Sequence, residues 1–137
     1  MSPEPKNVLF VCVSNRGKSV MAEHLTAAVT DQIRASSAGT AATIGGGIND
    51  LAAQVLAEVG AVPIRHSPRQ LTDDLMRTAD LVVVVGTAEV SPPAGVTVEV
   101  WDTDEPSARG IDGIDRMRMI RDDITERIGA LIARLSR

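Results

Sequence analysis

The stretch from Val8 to Glu23 constrains this chain more than any other. Val8-Leu9-Phe10-Val11 is an apolar run bounded by Asn7, the pattern of a strand buried on both faces of a parallel sheet. Val20-Met21-Ala22-Glu23-His24-Leu25 reads as the first turns of a helix. Between them lies a tight loop of small and polar residues with Cys12 at its start. A strand, a short loop and a helix N-terminus together make an oxyanion site. The loop N–H groups turn inward and the helix dipole adds positive potential. The same field favours a thiolate at Cys12.

The remaining pattern predicts an α/β fold. Asn7–Val13 is read as the first strand, Ser14–Lys18 as the loop, and Ser19–Ile33 as a helix with Met21, Leu25, Ala28, Val29 and Ile33 along one stripe. A short second strand is placed at Arg34–Ser37, followed by a loop through Gly45-Gly46-Gly47. Asn49 or Asp50 caps the next helix. It runs to Val59, with Leu51, Val55, Leu56 and Val59 inward and Gly60 as its stop. A third strand is expected at Val62–His66, and a brief helix from Thr72 or Asp73 to about Ala79. Leu81–Val85 has the uninterrupted valine content of a central strand. Pro92-Pro93 breaks the chain, Val96–Val100 is the last strand, and Asp102–Gly110 is a polar loop. A long helix then starts at Ile111 or Asp112 and buries Met117, Ile120, Ile124, Ile128, Leu131 and Leu135. Its outer residues Arg118, Arg121, Asp122, Glu126 and Arg134 read as a solvated face only. Strands alternating with helices call for one doubly wound domain with a four- or five-stranded parallel sheet flanked by helices. Residues 1–6 form a flexible tail and 7–137 the domain. Ligands of such sheets sit outside the carboxyl ends of the strands, where the Cys12 loop emerges.

Composition removes several classes of function. With 137 residues, one domain with a sizeable core is expected. No apolar stretch approaches the ~20 residues of a membrane span, and the polar start Met1-Ser2-Pro3-Glu4-Pro5-Lys6 has no apolar signal core. The one cysteine allows no internal disulfide and fits a reducing, cytoplasmic setting. A net charge of -4 disfavours nucleic-acid or membrane partners. Among the 14 basic residues only Lys6 and Lys18 are lysine. That usage, with abundant Ala, Val, Gly and Asp, suits a GC-rich genome such as that of an actinobacterium. Against this bias, the anion loop still carries a lysine. A cation at a helix start opposes the dipole, so Lys18 is better explained by a bound anion than by stability.

The loop admits two readings. Gly17-Lys18-Ser19 matches the end of a nucleotide-binding P-loop, but Cys12 stands where its first glycine belongs. No Mg²⁺ aspartate ends Leu81–Val85, and the chain is short for a nucleotide hydrolase. Alternatively, Cys12-x5-Lys18-Ser19 resembles the oxyanion loop of the low-molecular-weight phosphatase and arsenate reductase superfamily. Its usual form is Cys-x5-Arg-Ser within Val-Cys-x-x-Asn-x-x-Arg-Ser-x-Met-Ala-Glu. Val11, Cys12, Asn15, Ser19, Met21, Ala22 and Glu23 fall in register. So do Ser37-Ala38-Gly39-Thr40, an acidic-Pro pair at Glu105-Pro106, and the segment Arg116–Ile124.

The resemblance assigns roles to these residues. Cys12 is the nucleophile. Val13, Ser14, Asn15, Arg16, Gly17, Lys18 and Ser19 surround the bound oxyanion, although Arg16 has no family counterpart of clear role. Ser19 is either a plain helix cap or a hydrogen-bond partner of the Cys12 thiolate. Asn15 suits a left-handed backbone, and Ser37-Ala38-Gly39-Thr40 is mainly structural. Glu105, or failing that Asp104, protonates the leaving oxygen. Trp101 packs beside that loop. His24 and His66 show no metal-ligand spacing and read as structural or surface residues, so no metal is expected. A lysine in place of the arginine fork keeps anion binding but counts against efficient phosphomonoester hydrolysis.

Within the superfamily, thioredoxin-coupled arsenate reductases carry two further cysteines. Here Gly86 stands where the first would be, and none follows. Tyrosine phosphatases surround their pocket with aromatic residues, and this chain has no tyrosine. The remaining branch is similar to the actinobacterial arsenate–mycothiol transferases, with one cysteine, a loop lysine and Glu-Pro. That resemblance implies an arsenate reductase with arsenate as substrate, mycothiol as co-substrate thiol, mycoredoxin as partner and no tightly bound cofactor. The rival readings are a phosphomonoesterase working through phosphocysteine and a non-catalytic oxyanion-binding domain.

Overall fold

The computed structural model describes residues 4–61 and 65–136. Strand β1 (Lys6–Cys12) is followed by α1 (Lys18–Val29), β2 (Ile33–Gly39), α2 (Asp50–Glu58) and α3 (Asp73–Thr78). Then come β3 (Leu81–Val85), β4 (Val98–Trp101), a 3-10 turn (Pro106–Arg109) and α4 (Gly113–Leu135). The strands form one sheet in the order β2-β1-β3-β4, parallel throughout. β1 and β3 are therefore interior, as their unbroken apolar runs demand. Alternate residues of β1 feed two cores, because strand side chains alternate between faces. Val8 and Phe10 join Met21, Leu25, Val55, Leu56, Ile120, Ile124 and Leu131 beneath α1, α2 and α4. Leu9 and Val11 meet Met76 and Val82 on the opposite face, with α3. Truncating the fully buried Ile124 to Ala would cost ~2–5 kcal/mol of folding energy.

Several boundaries differ from expectation. α1 ends at Val29, and Ile33 begins β2 opposite Lys6. Thr30 is extended and its side chain accepts from Gln32 N, a local turn that competes with further helix. Ala28 and Val29 are consequently exposed, and the buried face of α1 is Ser19, Val20, Met21, Ala22, Leu25 and Thr26. Asn49 is the cap of α2, accepting from Leu51 N and Ala52 N. Ala52, Val55 and Leu56 point inward, whereas Leu51 and Val59 lie on the exposed side. Residues 62–64 of the expected third strand lie outside the described residues, and Arg65 and His66 are not in a strand. β4 starts at Val98 rather than Val96, after a turn through Gly95 with φ of 84°. The outer face of α4 does more than meet solvent. Arg118 and Arg121 both bind the carboxylate of Glu58 on α2, and Arg134 binds Glu99 on β4. This grip holds the Glu58 carboxyl at about 2, chiefly through its hydrogen bonds with Arg118.

Candidate active site

β1 delivers Cys12 to the carboxyl edge of the sheet, and α1 begins at Lys18. How the loop between them is aimed follows from its carbonyls. The carbonyl of Cys12 accepts from Thr40 N, that of Val13 from Ala41 N, that of Ser14 from Thr43 N, and that of Arg16 from Asn49 N. The Asn15 carbonyl accepts from His66 Nε2 at 2.6 Å. Five successive carbonyls are thus tied outward, to the segment after β2 and to His66. In a trans peptide the N–H points opposite to the carbonyl, so the N–H groups of residues 13–17 are turned toward the interior of the loop. That is an anion nest at a helix N-terminus. The close approach of β2 requires Gly39, because a Cβ there would lie 2.5 Å from the Val13 carbonyl oxygen.

Asn15 locks the nest. It is fully buried, with φ of 57°, a left-handed conformation that asparagine tolerates. Its Oδ1 accepts from Arg69 N at 3.0 Å, which fixes the amide orientation. Its Nδ2 then donates to Ser19 Oγ and to Ser37 Oγ, each at 2.9 Å. Ser37 Oγ donates in turn to Glu23 Oε1 at 2.6 Å. Ser19 Oγ accepts from Asn15 and lies 2.9 Å from Cys12 Sγ, where either group can be the donor. Asn15 N also donates to Sγ at 3.3 Å. The sulfur is thus held by one backbone N–H and one hydroxyl. Gly17, not Ser19, holds the cap position of α1, which leaves the Ser19 hydroxyl for the thiol.

The mouth in front of Cys12 is lined by Val13, Ser14, Gly17, Lys18 and the segment Val85–Ala88. Arg16 contributes its backbone to the loop, but its side chain turns away to donate to the Gly47 carbonyl at 3.0 Å. Lys18 is held between two neighbours. On one side is Gly86, with φ of +100°, where an added Cβ would come 3.3 Å from Lys18 Cδ. On the other is Glu105, whose Oε1 lies 3.8 Å from Lys18 Nζ. Glu105 is gripped further by Arg116, which donates to both oxygens at 2.6 and 2.8 Å, and by Ser107 at 2.9 Å. Hydrogen bonding from Arg116, with Ser107 and Lys18 adding, holds the Glu105 carboxyl at about 2. In this arrangement Glu105 is ionised at neutral pH and acts as counter-charge to Lys18. It carries no proton for a leaving oxygen until Arg116 lets go. Asp104 faces elsewhere, in a two-bond pair with Arg109 at 2.8 and 2.9 Å, and that pairing lowers its carboxyl pKa. Trp101 is buried against Phe10, with ring centroids 5.6 Å apart.

The low molecular weight phosphotyrosine protein phosphatase family matches residues 7–92. The chain belongs to that family. Its relatives carry two kinds of name. It is 32% identical over 80 residues, 58% of this chain and 56% of the other, to the low molecular weight protein-tyrosine-phosphatase Ptp of Acinetobacter johnsonii. It is 28% identical over 120 residues, 84% of this chain and 89% of the other, to arsenate reductase 1 of Staphylococcus epidermidis. The chain spans just over half the length of the phosphatase relatives it matches first. Its fold is that of the Erwinia amylovora tyrosine phosphatase AmsI. The two structures share 22% identity and a TM-score of 0.85 over 100% of this chain and 97% of the other.

Sequence reasoning missed part of what surrounds the loop. Arg116 was visible only as part of a helix segment, because nothing in its spacing reveals that it reaches Glu105. Ser37 and Glu23 were available in the Ser37-Ala38-Gly39-Thr40 and Met21-Ala22-Glu23 stretches, but the structure alone joins them through Asn15. His24 and His66, read as unrelated structural or surface residues, come together with Glu23. The fold brings a helix residue against a loop residue far along the chain, and no local spacing records that.

Proposed function

We infer that this chain is an arsenate reductase of the thiol-transferase type, acting in the cytoplasm. One observation carries the reading. The nest holds a single thiol, Cys12, and the chain has no second cysteine to resolve an adduct on it. At the end of β3, beside Lys18, stands Gly86. Arsenic bonded to Cys12 must therefore pass to a thiol from another molecule. The absence of tyrosine and the small lining from Val85 to Ala88 favour a bare tetrahedral oxyanion over an aryl ester. Kinship with arsenate reductase 1 of Staphylococcus epidermidis over 84% of this chain supports the same choice.

Arsenate binds with its oxygens on the N–H groups of the loop and near Lys18, which exchanges its contact with Glu105 for the dianion. Arg16 contributes through its backbone, while Ser14, Val13 and Gly17 shape the pocket. Cys12 Sγ, supported by Ser19, attacks arsenic. A sulfur–arsenic bond forms, an arsenic–oxygen bond breaks, and the hydroxide leaves as water with the proton the thiol gave up. Glu105 is assigned as the carrier of that proton once Arg116 releases it. Mycothiol then takes the arsenic from Cys12 and returns the proton to the thiol. A mycoredoxin thiolate attacks the mycothiol sulfur: a mixed disulfide forms, the sulfur–arsenic bond breaks with its electron pair going to arsenic, and arsenite departs. No cofactor needs to be tightly held. The test is arsenate consumption with mycothiol and mycoredoxin, lost in Cys12→Ser. Turnover of aryl phosphates without arsenate consumption would replace this reading with a phosphomonoesterase. Oxyanion binding that survives Cys12→Ser with no turnover would leave a binding domain.

A further inference from the structure

Around the Asn15 network, three side chains converge that the proposed reaction does not use directly. One potential ligand atom each from Glu23, His24 and His66 lies within 4.8 Å of the others, and all three residues are half-buried. The two imidazole rings stand nearly perpendicular, with centroids 6.5 Å apart. His24 Nε2 is buried without a hydrogen-bond partner among the described residues. A buried nitrogen left unpaired costs free energy and calls for an explanation. The other two residues are already oriented. A carbonyl only accepts, so His66 Nε2 carries the proton it gives to Asn15 O. Glu23 accepts from Ser37 through Oε1, and among the described residues Oε2 has no hydrogen-bond donor. An imidazole whose far nitrogen donates to a backbone carbonyl, beside a carboxylate held by a hydroxyl, is the outer shell seen around metal ligands.

The geometry points to a binding site for one divalent transition-metal ion of the zinc class, with Glu23, His24 and His66 as its three protein ligands. Two imidazoles and a carboxylate suit Zn²⁺ or Co²⁺ rather than Mg²⁺ or Ca²⁺, which prefer oxygen. Bonds of about 2.0–2.1 Å in a tetrahedral set place donor atoms ~3.3 Å apart. The ion would hold His66 and Glu23 in the positions from which they support Asn15. Its occupancy is thereby coupled to the oxyanion loop, and the coupling is reciprocal.

The test uses the full chain as Cys12→Ser, treated with chelator, so that the thiol cannot bind metal and the arsenate chemistry is not involved. Titration with Zn²⁺ should show one ion per chain by calorimetry, and Co²⁺ should give visible d–d absorption. Adding His24→Phe should weaken binding by at least the ~10–100-fold that loss of an outer-shell partner costs. Glu23→Gln should also weaken it. In the protein without these second changes, Co²⁺ should broaden the His24 and His66 ring signals before any others, a readout that needs no further variant to fold. Equal affinity with and without His24→Phe, or broadening that begins elsewhere, would overturn the assignment. So would the absence of a stoichiometric binding event.

Discussion

Replacing Asn15 with Ala probes the loop at its most connected point. Three side-chain hydrogen bonds vanish: those to Ser19 Oγ, to Ser37 Oγ and from Arg69 N. The two serine hydroxyls keep other partners in Cys12 and Glu23, so each loss is an ordinary one of about 1 kcal/mol. The Arg69 amide is left without its acceptor, at about 2 kcal/mol. Alanine at φ of 57° adds about 1 kcal/mol more for the left-handed backbone. The sum is ~5 kcal/mol, against a total stability of ~5–15 kcal/mol for a domain. Urea unfolding at pH 7 should show a loss of about 4–5 kcal/mol, the lower value allowing for relaxation around the site. Asn15→Gly relieves the backbone cost and should be no less stable than Asn15→Ala. Cys12 should also lose the orientation of Ser19 and alkylate with iodoacetamide at a changed rate. A loss below about 1 kcal/mol, the scale of a single hydrogen bond, would refute the claim that Asn15 fixes the loop. A glycine variant weaker than the alanine variant would refute the backbone part.

Other perturbations test other parts. Arg116→Gln removes the main donor to Glu105, so the Glu105 carboxyl should rise from about 2 toward its ordinary value, which carboxyl NMR during a pH titration reads directly. Because that carboxyl is depressed in the native state, its contribution to stability is present above the unfolded pKa and fades as pH falls through about 2. With the side chain 43% exposed, solvent screening limits that contribution to about 1 kcal/mol, measurable by comparing Glu105→Gln with the parent at pH 7 and pH 3. Gly86→Ala forces a Cβ to 3.3 Å from Lys18 Cδ at φ of +100°. It should lower stability by about 1–2 kcal/mol and weaken arsenate binding in calorimetry, because Lys18 is displaced. Glu58→Gln should lower Tm at pH 7 by uncoupling α2 from α4. The difference should shrink as pH falls from the ordinary carboxylate range toward about 2, and scanning calorimetry across pH would show it.

Much of the fold was legible because its signals are local. The apolar run of Leu81–Val85 marks an interior strand, as found, and the spacing of Met117, Ile120, Ile124, Ile128, Leu131 and Leu135 marks the inward stripe of α4, buried as far as Leu131 and only partly covered at Leu135. The end of α1 was not legible. Ala28, Val29 and Ile33 continue the helical spacing, and what stops the helix is Thr30 turning extended so that Ile33 can pair with Lys6. Tertiary pairing outweighed periodicity there. The loop itself could be read from Cys12 to Ser19 because strand, loop and helix are contiguous. The reach of Arg116 to Glu105, of Arg118 and Arg121 to Glu58, and of His66 to Asn15 could not be read. Each joins residues far apart in sequence through long side chains whose direction only the packed fold decides. The ionised state of Glu105 belongs to the same class, since it depends on Arg116 and not on the Glu-Pro pair.

The most direct measurement of the central claim is arsenate consumption by the purified chain under three separate thiol systems: mycothiol with mycoredoxin, thioredoxin, and glutathione with glutaredoxin. A parallel Cys12→Ser control accompanies each. A lone thiol in the nest that passes arsenic outward predicts arsenite release with mycothiol and mycoredoxin alone, abolished in Cys12→Ser. Arsenite release that persists without Cys12, or aryl-phosphate turnover with no arsenate consumed under any thiol, would contradict it.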